Sequence, residues 1–147
     1  MMLTPITLYR ATSDVSDADT VPDGTCWAER REDAVAYTDN PGFGGPHIVS
    51  VTVSDRYAGS ILDLRGDHWE KNGEWDVLAE ALGYASVKKL RRDYGADEYE
   101  NIEQMLDEPE VRARLARTYN WAVYHDTYPI GCTTWCKLGG KANMGAA

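Results

Sequence analysis

Phenylalanine, cysteine and basic residues are all scarce in this chain of 147 residues. Phenylalanine occurs once, against nine tyrosines and five tryptophans, so nearly every aromatic ring carries a polar group. Such rings are common where one end packs and the other meets water or a ligand. The three cysteines are too few, and odd in number, for a disulfide framework. They predict a cytosolic protein with free thiols.

Positive charge is also in short supply, with 15 Lys and Arg residues against 24 Asp and Glu residues and a net charge of −9. Non-specific binding to nucleic acid needs clustered cations that neutralise phosphates, so we expect no direct nucleic-acid partner. The short basic run at 88–92 is flanked by acids on both sides. An acidic surface is suited to solubility, to a basic protein partner or to mimicry of a nucleic acid.

Long apolar runs are missing as well. Nothing in the sequence approaches the ~18 consecutive apolar residues that a membrane-spanning helix requires. The N-terminus lacks the basic region and apolar run of a signal peptide. We therefore expect a cytoplasmic protein with no membrane partner.

Several nucleotide and metal motifs are incomplete. The glycine-rich segment 42–46 lacks the Lys-Ser/Thr of a phosphate loop, and 139–141 lacks the strand–helix frame. His68-Trp69-Glu70 is not followed by the Pro-Cys-x-x-Cys of a zinc deaminase. Cys132 and Cys136 on one strand would lie about 13 Å apart, too far to share a zinc ion. We expect no metal site.

Alternating and helical patterns follow one another along the chain. Strands are predicted at 6–11, 25–28, 47–53, 61–64, 121–126 and 133–138, and helices at 29–38, 74–82, 86–92, 97–106 and 109–119. Residues 12–24 read as a loop with a Pro-Asp-Gly turn. Strands at both ends with helices between them predict one α+β domain over 1–140, followed by a flexible tail at 141–147.

One reading of the reactive side chains is a cysteine protease. Cys26 precedes a predicted helix, where a thiolate is stabilised, and His125 is available as a base. Nothing local marks the two as a pair, and a small buried cysteine is the commoner outcome.

A second reading is a nucleotide site. Arg10 and Thr12 end the first strand, where they can hold a pyrophosphate and a ribose. Trp27 and Tyr37 flank a short helix and offer flat faces for a ring. Asp126 can stabilise an oxocarbenium-like ribose, as carboxylates do in glycoside hydrolysis. Against this, Arg10 also fits a surface residue, the two rings fit core residues, and Asp126 fits a turn.

The order of these residues resembles small ADP-ribosyltransferase-like domains. The matching segments are Leu8-Tyr9-Arg10-Ala11-Thr12, Gly24-Thr25-Cys26-Trp27, Asp33-Ala34-Val35-Ala36-Tyr37-Thr38, 49–53, 61–63, 120–126 and 131–135. In size, order and acidity the chain is similar to the compact phage-encoded anti-CRISPR members, which modify a CRISPR surveillance complex. The resemblance implies two small mixed or antiparallel sheets that form an NAD cleft, with helices inserted between the strands. It also implies NAD as co-substrate and a host protein as target, in the cytoplasm of the host cell.

Residue by residue, the resemblance assigns NAD binding to Arg10, Trp27 and Tyr37. Tyr9 and Thr12, beside Arg10 on the first strand, are further candidate NAD-binding residues. The resemblance assigns catalysis to Arg10 and to Asp126.

The C-terminal hairpin departs from the family pattern. Residues 128–138 contain no carboxylate and no glutamine, whereas the family usually has a Glu or Gln there. Either Asp126 takes that role, or an acid from 97–110 reaches the site, or the domain binds NAD without transferring it. Two other functions stay open: a non-catalytic acidic inhibitor that blocks a basic groove of a partner, and an NAD-hydrolysing toxin.

Overall fold

A mixed sheet of six strands organises the part of the chain that the structure describes. The computed structural model describes residues 5–38, 44–53, 61–65, 73–94, 102–126 and 132–138. The strands are β1 (Ile6–Thr12), β2 (Cys26–Ala28), β3 (His47–Val53), β4 (Ile61–Asp63), β5 (Trp121–Asp126) and β6 (Cys132–Lys137). The helices are α1 (Asp17–Thr20), α2 (Arg31–Thr38), α3 (Glu74–Ala81), α4 (Val87–Tyr94), α5 (Ile102–Leu106) and α6 (Pro109–Leu115). The predicted α+β class, with helices between strands, is confirmed.

The strand order is β3-β1-β2-β6-β5-β4. Every neighbouring pair is antiparallel except β4 and β5, which run parallel. Parallel strands need a long crossover, and the segment that carries α3 to α6 provides it. The helices that the sequence predicts in mid-chain therefore connect β4 to β5 and cover the sheet.

In the described ranges the expected pair of small sheets is replaced by one sheet, because β2 joins the two halves. The three residues of β2 pair with β6, with Trp27 opposite Trp135. This ladder connects the half built from β1 and β3 to the half built from β4 and β5. Local sequence patterns predicted each strand, but they carry no information about which distant strand becomes its neighbour.

The two faces of the sheet bury different cores. One, here called the tryptophan face, holds Leu8, Trp27, Val53, Trp121, Val123 and Trp135. Trp121 and Trp135 meet edge to face with ring centroids 6.1 Å apart. The other, here called the helical face, holds Leu62, Ala122, Tyr124 and Cys136 beneath α3 to α6. Since side chains alternate along a strand, these clusters assign every strand residue to a face.

The helices bury the stripes that their spacing predicts. In α3, Trp75 and Leu78 are buried, as is Leu82 just beyond it, and Gly83 at φ +83° ends the turn. In α6, Val111 and Leu115 are buried, and the first turn contains a proline. This last helix ends at Leu115, earlier than the predicted 119.

Helix α1 lies inside a segment predicted to be a loop. The Asp14 carboxylate accepts a hydrogen bond from the Ser16 backbone N–H at 3.0 Å, which starts the turn. Val21, at φ +41°, ends it in the left-handed region. A turn of four residues has no hydrophobic periodicity, so the sequence gives no signal for it.

Other predictions fall outside the described residues. They are the helix start at 97–101, the turn at 128–131, loop residues 42 and 43, and the tail at 141–147. Among the described helices, none is long and apolar enough to cross a membrane.

Candidate functional site

Arg10 anchors the centre of the sheet. Its Nε donates to Asp17 Oδ2 at 3.1 Å, and its Nη1 donates to the backbone carbonyl of Cys26 at 3.1 Å. Thr12 Oγ1 donates to the same Asp17 oxygen at 2.6 Å. Arg10 and Thr12 alternate with Tyr9, and lie on the tryptophan face with Leu8. The structure thus brings the two predicted phosphate-binding residues together, around a carboxylate rather than an open surface.

Trp27 is part of the core. Its ring is 1% exposed and its Nε1 donates to Thr25 Oγ1 at 2.9 Å. All three residues of β2, Cys26-Trp27-Ala28, are apolar, so their sequence does not indicate which face is covered. A stacking role for Trp27 would require this ring to be uncovered.

Tyr9 and the backbone of helix α2, which carries Tyr37, are on the opposite side of the sheet from Trp27. Tyr9 pairs with Ala28, and strand alternation assigns both residues to the helical face. Helix α2 lies over the same side of β1. Gly44 shows the proximity of the two elements. A Cβ added to it would be 2.9 Å from Ala11 Cβ and 3.4 Å from the Tyr37 carbonyl oxygen, so the end of α2 lies near Ala11. Both tyrosines are half-buried.

Asp126 ends β5 opposite Cys132. Its position alternates with His125 and matches that of Tyr124, so it belongs to the helical face. The pairing register of the strands relates the position of Asp126 to those of Tyr9 and Tyr124. Tyr9, Ala28, Thr134 and Tyr124 form a row across four adjacent strands, and Asp126 is two residues beyond that row. Strands β1 and β5 are three spacings apart, about 14 Å.

The predicted site residues therefore divide between two faces. The backbone register assigns Tyr9 and Asp126 to the helical face, where α2 also carries Tyr37. Arg10, Thr12 and Trp27 belong to the tryptophan face. Their order along the chain led to the prediction of a single site. Strand alternation instead puts them on opposite faces of the sheet.

Another acidic residue acts electrostatically on the helical face. It belongs to residues 97–110, the segment that the sequence analysis named as an alternative source of the catalytic acid. Asp107 follows α5 and acts electrostatically on the thiols of Cys26 and Cys136. Desolvation by surrounding protein raises the pKa of Asp107, although nearby Arg112 opposes the shift. Asp107 itself is exposed, so its charge acts on this face from the surface.

A polar network that the sequence did not predict closes one end of the tryptophan face. Arg65 bonds both carboxylate oxygens of Asp63 at 2.9 Å, and its Nη1 is 3.8 Å from Glu29 Oε1. Trp135 Nε1 donates to that same Glu29 oxygen at 2.8 Å. The hydrogen bond from Arg65 holds the pKa of Asp63 below its usual value. These residues come from three strands and their flanks, and no local motif connects them.

Lys137 is a cation inside the tryptophan face. Its side chain is 1% exposed, and its Nζ is 3.8 Å from Asp23. Burial lowers its pKa, against the pull of Asp23 in the other direction. The sequence predicts only a strand at this position.

The protease and zinc arrangements do not assemble. Cys26 belongs to the helical face and His125 to the tryptophan face, so the two cannot form a nucleophile–base pair through the sheet. His125 Nδ1 instead lies 3.2 Å from Thr133 Oγ1. In the described ranges, no group of three His, Cys, Asp or Glu residues is arranged to hold a metal ion.

No protein family, curated protein or solved structure compared with this chain matches it.

Proposed function

We propose that the protein is an NAD-dependent ADP-ribosyltransferase that modifies a host protein. The observation that carries the proposal is the register of the central sheet. Strand β1, near the start of the chain, and the β5–β6 hairpin, near its end, share one sheet with β2 between them. The segments that carry the family resemblance are therefore neighbours in space, although more than half of the sequence separates them.

In this proposal NAD binds at the margin of the helical face beside Tyr9, because Ala28, Thr134 and Tyr124 within the row are buried by protein. The half-buried rings of Tyr9 and Tyr37 are suited to hold the nicotinamide end. Asp126, two residues beyond the row, is the proposed catalytic carboxylate. When the bond between nicotinamide and ribose breaks, nicotinamide leaves with the bonding electrons. Asp126 stabilises the ribosyl cation, and the target side chain adds to the same carbon and loses its proton.

Arg10 and Thr12 take a positioning role. Their bonds to Asp17 and to the Cys26 carbonyl fix the end of β1 against β2 and α1. This fixes Tyr9, the residue before Arg10, in the row. Trp27 supports the same strand from the core. Family resemblance suggests a CRISPR surveillance complex in the host cytoplasm as the target.

A second candidate is a non-catalytic acidic inhibitor, which is favoured by the net charge of −9. Such a protein would occupy a basic groove of its partner by charge, and salt would weaken the binding steeply. It would act in stoichiometric amounts and without NAD, whereas an enzyme acts at far lower amounts and needs NAD.

The test is transfer of label from NAD to host proteins by purified full-length protein, with Asp126→Asn and Asp63→Asn compared. Asp63 is a matched control, because it is a strand-end carboxylate on the other face of the same sheet. We expect Asp126→Asn to lose about 100-fold or more of the transfer rate and Asp63→Asn to keep it.

Three other outcomes contradict parts of the proposal. An equal loss of transfer rate in both variants would show that Asp126 is not the catalytic carboxylate. Free nicotinamide and ADP-ribose without a labelled protein indicate an NAD-hydrolysing toxin. Inhibition of a target complex at one-to-one ratio without NAD indicates the acidic inhibitor.

A further inference from the structure

Cys26 and Cys136 face each other directly across β2 and β6. The backbone N–H of Lys137 donates to the Thr25 carbonyl at 2.9 Å. The hydrogen-bonded pair of the ladder is therefore Thr25 and Lys137, the pair next to Cys26 and Cys136. Cys26 and Cys136 are therefore a non-hydrogen-bonded pair. In such pairs the Cα atoms are about 4.5 Å apart and the side chains are closest.

This spacing is compatible with a covalent bridge. Disulfides join residues whose Cα atoms are about 4.4–6.8 Å apart and whose Cβ atoms point towards each other. Both cysteines are on the helical face, so their side chains leave the sheet in the same direction. A bond between the two sulfur atoms is therefore compatible with the pairing of the two strands. Both thiols are free in the structure.

The two thiols differ in ways that assign them different roles. Cys26 is half-buried, and Cys136 is buried. The neighbouring Cys136 thiol lowers the pKa of Cys26, and the Tyr124 hydroxyl, 3.8 Å from Cys26 Sγ, acts in the same direction against burial. The same thiol–thiol contact, together with burial, raises the pKa of Cys136. The residue that is less buried is thus also the one whose thiol has more thiolate character.

We propose that Cys26 and Cys136 are a redox-active pair that forms a reversible disulfide when the protein meets a peroxide. The Cys26 thiolate attacks one peroxide oxygen, the O–O bond breaks, and the released hydroxide takes up a proton to become water. This leaves a sulfenic acid on Cys26. Cys136 then attacks the Cys26 sulfur, the S–O bond breaks, and hydroxide leaves and takes the Cys136 proton to form a second water. Two thiols and one hydrogen peroxide become one disulfide and two waters.

Formation of the sulfenic acid itself favours the second step. Before oxidation, the neighbouring Cys26 and burial both raise the pKa of Cys136. Once Cys26 is a neutral sulfenic acid, it carries no thiolate charge to oppose the ionisation of Cys136. A thiol such as dithiothreitol reverses the reaction by exchange.

The bond would bridge the two halves of the sheet. Strand β2 and strand β6 are the neighbours that connect the half containing β1 and β3 to the half containing β5 and β4. The Cys26 carbonyl also accepts the hydrogen bond from Arg10. Oxidation would therefore fix the strands on which the proposed NAD face depends. The proposal itself does not depend on NAD chemistry, and its tests measure thiols only.

The first experiment uses the wild-type full chain with hydrogen peroxide at a small molar excess, followed by denaturation, alkylation and intact-mass measurement. We expect two of the three thiols to resist alkylation and the mass to fall by two hydrogen atoms. Digestion should give a peptide pair joined through Cys26 and Cys136, and dithiothreitol should restore all three thiols. Three alkylated thiols, a bridge through Cys132, or a bridge between two chains would overturn the proposal.

Variants separate the two roles. Cys132→Ser is the matched control, because Cys132 is on the same strand as Cys136 but is paired with Asp126 in the ladder, not with a cysteine. It should form the bridge as fast as the wild type. Cys136→Ser should accumulate a sulfenic acid on Cys26 that dimedone captures, and Cys26→Ser should leave Cys136 reduced. Oxidation of Cys136 in Cys26→Ser at the wild-type rate would contradict the assignment of Cys26 as the attacking thiol.

Discussion

The indole N–H of Trp135 donates to a Glu29 carboxylate oxygen at 2.8 Å, across a sequence separation of 106 residues. Trp135 is in the middle of β6, and Glu29 follows β2 directly. Arg65, after β4, approaches the same oxygen. The tryptophan face is therefore closed at this end by polar bonds that connect residues from three strands.

Removal of the Glu29 carboxylate should destabilise the protein through Trp135. Glu29→Ala leaves a nearly buried indole N–H without its acceptor, which costs about 1–3 kcal/mol. Glu29→Gln keeps an acceptor oxygen at the same distance and should cost less than half as much. Urea unfolding followed by tryptophan fluorescence measures both. Equal stability of the two variants would mean that the bond contributes nothing beyond side-chain packing.

Asp17 should be more important for stability than its position in a four-residue helix suggests. It accepts hydrogen bonds from Arg10 and Thr12, and is largely buried. Asp17→Ala leaves the Arg10 guanidinium without its ion-pair partner and should cost about 1.5–3 kcal/mol. Asp17→Asn keeps an oxygen acceptor and should cost less. Denaturant midpoints test this order, and a shift below about 0.5 kcal/mol for Asp17→Ala would disprove it.

Lys137 should produce a pH-dependent stability that Lys137→Met abolishes. Burial lowers its folded-state pKa below the ordinary value of 10.5. Between the two pKa values the unfolded chain holds more protons, so this residue makes the wild type more stable as pH rises. Methionine does not titrate. The stability of Lys137→Met relative to wild type should therefore fall as the pH is raised from about 7 towards 10.5.

Urea unfolding of both proteins across that pH range is the measurement. Groups that titrate in both chains cancel in the difference. A difference that stays constant, or that moves in favour of Lys137→Met with rising pH, would contradict a lowered pKa for Lys137.

Local patterns were sufficient for most of the elements. The alternation of Val49, Val51 and Val53 predicted β3, and the spacing of Trp75 and Leu78 before a glycine predicted α3. Both signals come from residues within a few positions of one another, which is the range over which side-chain periodicity operates. Helix α1 is too short to have such a period.

The arrangement of the site was beyond these patterns, because it depends on register between distant strands. Arg10 and Tyr9 are adjacent in sequence, but face opposite sides of the sheet. The β2 segment is apolar at every position, so only its pairing with β6 decides that Trp27 is core and that Cys26 meets Cys136. The candidate residues were recognised by type and order, and their division between two faces needed the structure.

The position of β2 between β1 and β6 also bears on how the chain folds. The ladder from Cys26 to Cys136 closes a loop that contains most of the sequence, and loop closure of that length is entropically costly before any contact repays it. Strands β1 and β3 can pair early as a local antiparallel unit, but β2 has no partner on its other side until β6 has left the ribosome. We expect the completed sheet to form late and slowly compared with helical proteins of this size, with the edge of β2 as the surface most exposed to aggregation until then.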